Sequence, residues 1–123
     1  MDDATIHITW HGLDASEALE QRIRDEVDRL RSIYPRSTAC RVVIEQPHRR
    51  HRQGSHFVVK VELTVPGKTL VVTRDPTEHR ENDDAFVACG EAFDTMRRQL
   101  EEYVRQLREP GSREGRFAKR AAT

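Results

Sequence analysis

The chain is poor in cysteine and in aromatic residues, and it has no long apolar run. Its two cysteines, Cys40 and Cys89, are too few for a disulfide framework and spaced unlike any zinc motif. Unbroken apolar runs stop after a few residues, far short of the ~20 needed to cross a bilayer. The start, MDDATIHITW, lacks the basic-then-apolar order of a secretory signal. Pro66-Gly67-Lys68 lacks the glycine pattern and helix placement of a Walker motif. Together these absences predict a cytoplasmic, soluble protein with reduced, buried thiols, no cofactor, no membrane partner and no small-molecule substrate.

What is abundant is charge: 34 % of residues are Asp, Glu, Lys or Arg, yet the formal net charge is zero. That zero conceals segregation. Residues 39–74 carry a net +5 and residues 110–123 a net +3, whereas 1–38 carry −3 and 75–109 carry −5. Charge sorted this way along a chain builds a positive surface patch despite neutral bulk charge.

Periodicity supplies the fold. TIHITW alternates, with Ile6, Ile8 and Trp10 on one side and His7 and His11 on the other, as a half-buried strand does. Trp10, in phase with the isoleucines, is expected in the core. In GLDASEALEQRIRDEVDRLRSIY, Asp14 and Glu17 have the spacing of a capping box. Leu19, Ile23, Val27, Leu30 and Tyr34 then form one helical stripe, which Pro35 ends near Ile33 or Tyr34. ACRVVIE (39–45), HFVVKVELTV (56–65) and KTLVVTR (68–74) alternate as three more strands, the last two joined by a Pro66-Gly67 turn. A second helix, capped by Asn82 or Asp83, carries Phe86, Cys89, Phe93, Met96, Leu100, Tyr103 and Leu107 as its stripe and stops at Pro110-Gly111. The predicted class is α+β, in the order β-α-β-β-β-α: a four-stranded sheet with two helices packed on one face. One domain is expected over residues 1–109, followed by a disordered basic tail, 110–123.

Between the second and third strands lies PHRRHRQGSHF (47–57), which has three arginines, three histidines and no acid. His48, His51 and His56 are zinc-ligating types, but their spacing matches no compact motif. Arg49, Arg50 and Arg52 would also set fixed positive charge beside a dication, and no Cys or acid in the loop completes a shell of four. Ser55 beside His56 is no triad without a third, oriented partner, and the remaining paired carboxylates belong to solvated helix faces, so no enzymatic activity is predicted. Two readings stay open: a soluble hairpin tip, or an RNA contact in which arginine forks pair with phosphates and stack on bases. Arg41, Lys60, Lys68 and Arg74 extend the basic region.

ITWHGLDASEALEQRI, CRVVIEQPHRRHRQG, VELTVPGKTLVV and DDAFVACGEAFDTMRRQLEEYVRQ, in this order and spacing, resemble the short, single-domain form of the ribosome hibernation-promoting factors, or ribosome-associated inhibitors, over about residues 5–108. The resemblance implies a factor that binds the small ribosomal subunit between head and body through rRNA. There it blocks mRNA and tRNA and protects idle ribosomes under stress, bound as a monomer because the dimerisation domain of the long form is missing. It adds Arg22, Arg29 and Arg98 to the RNA-binding set of Arg49, Arg50, Arg52, His48, His51, Arg41, Lys60 and Lys68. Glu20, Glu26 and Thr95 depart from the basic pattern of the family's helices. The rival classes are a stress regulator that docks the basic loop on an acidic protein, and a metal-responsive binding protein that uses the three histidines.

Overall fold

Each stretch of period-two alternation forms a strand, and each apolar stripe lies on a helix. A computed structural model describes residues 5–47, 56–76 and 84–108. The element order is β1 (Ile6–His11), α1 (Glu17–Ile33), β2 (Ala39–Glu45), β3 (Val58–Val65), β4 (Lys68–Arg74) and α2 (Ala85–Arg108), as the periodicity predicts. The strands form one mixed sheet in the order β1-β2-β3-β4. β1 runs parallel to β2 with Ile8 opposite Val42, and the other pairs are antiparallel, with Val42 opposite Val61 and Val61 opposite Val72.

The core lies between the inner face of this sheet and the two helices. Cys40, Val42, Ile44, Val59, Val61, Leu63, Leu70 and Val72 meet Leu19, Ile23, Val27 and Leu30 of α1 and Phe93, Met96 and Leu100 of α2. Ile6, Ile8 and Trp10 pack at the edge of this cluster. The other sheet face carries His7, Arg41, Glu62 and Val71 in one cross-strand row and Thr9, Val43, Lys60 and Thr73 in the next.

The ends of the elements show local chemistry and three corrections. Ser16, not Asp14, caps α1: its Oγ accepts from the Leu19 amide at 3.2 Å. A capping-box spacing alone does not select among neighbouring polar residues. The helix begins where the chain has cleared Gly12, whose φ of +79° and close approach to Gln46 tie the end of β1 to the end of β2. A Cβ at Gly12 would lie 2.5 Å from the Gln46 carbonyl oxygen, too close for any side chain in that left-handed conformation. Asp84 caps α2, its Oδ1 accepting from the Phe86 amide at 2.6 Å; Asn82 and Asp83 lie outside the described residues.

Phe86 is the second correction. It is 40 % exposed, because Ala88 and Ala92 face the core and turn the buried stripe away from it. Arg74 is the third. It sits on the inward face of β4 in line with Leu70 and Val72, and its side chain is 7 % exposed. Nη1 donates to the Phe57 carbonyl at 2.7 Å and Nε to Glu91 at 3.3 Å, so Arg74 joins β4 to the residue preceding β3 and to α2 rather than extending a basic surface. At the opposite end of the sheet, Tyr103 donates its hydroxyl to the Pro66 carbonyl at 3.1 Å and fastens the hairpin turn to α2.

Candidate nucleic-acid interface

β2 and β3 fix both ends of the basic connection. Glu45 is the last paired residue of β2 and faces Val58, the first of β3, so residues 46–57 form the link of an antiparallel hairpin. His48, Arg49, Arg50, His51 and Arg52 lie outside the described residues, and so do two of the three histidines weighed as a zinc site. Among the described residues no group of three or more His, Cys, Asp or Glu is placed to hold a metal ion.

The remaining basic candidates fall on two opposite surfaces, divided by the sheet. Arg41 and Lys60 project from the open face. There Lys60 Nζ lies 3.3 Å from the Glu62 carboxylate, and Glu62 is the cross-strand partner of Arg41. Alternation places these residues outward, and the acids interleaved with them leave this face nearly balanced in charge.

On the helical side, Lys68 and Arg98 line one groove with Leu70 and Tyr103. The Lys68 ammonium stands 5.4 Å from the centroid of the Tyr103 ring, within range of a cation–π contact. Arg98 is exposed and donates Nε to the Asp94 carbonyl one turn back at 3.4 Å. Arg22 and Arg29 come together on α1. Both bond the same carboxylate oxygen, Glu26 Oε1, at 3.2 and 2.9 Å. Glu26 is buried; the sequence shows it only as an acid interrupting a basic pattern. Its i−4 and i+3 arginine neighbours were the available signal.

Both thiols are buried. Burial pushes Cys40 and Cys89 up to about 12, with the Arg22 and Arg74 guanidinium groups pulling Cys89 weakly back. The cysteines are free and belong to the core, as expected.

Among the described residues, cations gather on the helical side of the sheet, and the sequence puts three more arginines in the β2–β3 connection. A family model described as sigma 54 modulation protein / S30EA ribosomal protein matches residues 6–108, from the first residue of β1 to the last of α2. The chain belongs to the S30EA ribosomal protein family. No curated protein sequence matches it. Solved structures similar to this chain in fold include the following two. A ribosomal subunit interface protein from Coxiella burnetii has a TM-score of 0.63 at 18 % identity, over 80 % of this chain and 94 % of that one. The N-terminal domain of Thermus thermophilus Protein Y also has a TM-score of 0.63, at 16 % identity, over 80 % of this chain and 98 % of that one.

Proposed function

We propose that this S30EA-family chain is a ribosome hibernation factor. It binds the small ribosomal subunit in the decoding channel through rRNA contacts, excludes mRNA and tRNA by occupancy and protects idle ribosomes. The observation that carries the reading is the family match, which runs through every element of the fold. The name of the Coxiella relative, a ribosomal subunit interface protein, agrees with it.

Charge supplies the binding energy in this reading. The loop arginines Arg49, Arg50 and Arg52, with His48 and His51 beside them, reach phosphates and splayed bases. Lys68 with Arg98, and Arg22 with Arg29, add contacts from the helical side. The open sheet face contributes less, because Glu62 competes for Arg41 and Lys60.

Co-sedimentation with purified small subunits over a range of salt tests the proposal. Binding at low salt that falls steeply as salt rises is expected, since each phosphate neutralised releases counterions. The triple variant R49A/R50A/R52A should weaken binding and flatten the logarithmic salt slope by about two to three. Absence of binding at low salt overturns the function, whereas an unchanged slope in the variant shows that another surface makes the contacts.

A further inference from the structure

Glu26 is an acid set into the apolar stripe of α1. Its side chain is only 10 % exposed, whereas those of Arg22 and Arg29, which bond it, are 46 % and 72 % exposed. One arginine comes from the turn before and one from the turn after, so both guanidinium groups lean over a single oxygen. Arg22 uses Nε and Arg29 uses Nη1 for these bonds, and each guanidinium carries further N–H donors besides.

Arg22 also approaches α2. Its Nη2 lies 3.5 Å from the point that a Cβ on Gly90 would occupy, so the lack of a side chain at Gly90 leaves room for the guanidinium. A charge-assisted bond to a desolvated acceptor is stronger than an exposed ion pair. Holding a long side chain in one rotamer ordinarily costs entropy at the moment of binding. A buried carboxylate that bonds two arginines restricts their rotamers before any ligand arrives, and the trio keeps a net positive charge.

We propose that Arg22, Glu26 and Arg29 form a preorganised phosphate site on α1, with an rRNA phosphodiester as ligand and Glu26 as the positioning residue. The inference rests on the rRNA-binding reading above. It gives Glu26 a role opposite to the one that charge counting assigns: the acid strengthens RNA binding by fixing the two cations.

The sign of one substitution separates these views. Glu26→Gln removes a negative charge, so simple electrostatics makes the variant bind RNA more tightly. Loss of positioning makes it bind more weakly, by about tenfold, in the range of coupled neighbours. Equilibrium binding of the full chain to purified small subunits is measured for the wild type, E26Q, R22Q/R29Q and the triple variant R22Q/E26Q/R29Q. The expected result is weaker binding by E26Q, and no further effect of E26Q in the background lacking both arginines. Equal or tighter binding by E26Q overturns the proposal. So does an equal loss in both backgrounds, which would mark a general effect on the fold. If the wild type itself does not bind small subunits, the functional reading falls and this site falls with it; if the wild type binds and only the E26Q result disagrees, the site alone is wrong.

Discussion

Cys40 and Cys89 show how strongly burial shapes the chemistry of a side chain. Each is a thiol among core residues, and desolvation of the thiolate raises both to about 12 from an ordinary 9.0. Below pH 9 the folded and unfolded chains are both protonated at these sites, so the thiols then contribute no pH dependence. As pH rises above 9.0 the unfolded chain loses these protons, while the folded chain holds them until about 12. The unfolded state is favoured across that window, and stability falls through it. Denaturant midpoints measured at pH about 8 and about 11 should therefore separate less in a C40A/C89A variant than in the wild type. An identical separation would show that the thiols are not the groups responsible. Thiol reagents should meanwhile leave the native chain unmodified at neutral pH and label both cysteines once it unfolds. The sequence already pointed to this, because both cysteines fall in phase with apolar neighbours. The burial of Glu26 and Arg74 is not legible in the same way: the spacing of Arg22, Glu26 and Arg29 shows that they can pair, not that the carboxylate is buried. Charged residues on buried faces look like surface residues until their partners are known.

At the level of elements, the start of α1 shows what local pattern leaves undecided. Asp14, Ser16 and Glu17 all suit a helix N-terminus, and the structure selects Ser16, with the Glu20 amide donating to its carbonyl at 2.9 Å. Ser16→Ala should cost about 1 kcal/mol of stability, the usual worth of a cap. Asp14→Ala, which removes no cap, should change stability by less than about 0.5 kcal/mol. Urea unfolding of the two variants measures the difference, and a larger loss for Asp14→Ala would refute the assignment. The strands were more legible. β2 and β4 have the bounds their alternation predicts, because a one-residue slip would turn every buried valine to water. The margin of α2 is less legible: helical spacing puts Phe86 on the apolar stripe, whereas Ala88 and Ala92 set which way the helix faces.

Across the whole molecule, Arg74 links elements that the sequence leaves separate. It accounts for the difference between the basic region expected on β4 and the one observed. Arg74→Met should destabilise the fold by about 1–3 kcal/mol, because the Phe57 carbonyl loses a donor where little water reaches. It should leave the affinity of folded protein for small subunits within about twofold, the scatter of a substitution with no coupling to the site. Thermal unfolding and co-sedimentation test the two halves; a large loss of affinity with unchanged stability would return Arg74 to the binding surface. The sheet also divides the remaining cations. Arg41 and Lys60 face one way, and Arg22, Arg29, Arg98 and Lys68 belong to the helical side. Proximity along the chain groups Arg41, Lys60, Lys68 and Arg74 together, and the sheet separates them.

The sequence by itself determined the order β-α-β-β-β-α, the buried faces of the strands, the core helix stripes and the sorting of charge into the β2–β3 connection. Each of these follows from a local period or a local composition, and the hydrophobic effect acts on both without knowledge of the rest of the chain. Only the tertiary structure decided which charged residues are surface cations and which are structural. That decision depends on packing: a carboxylate on a buried stripe needs neighbours to compensate it, and Glu26 finds Arg22 and Arg29, one turn away on either side. Arg74 instead reaches α2, seventeen residues along the chain, and becomes part of the core's polar lining.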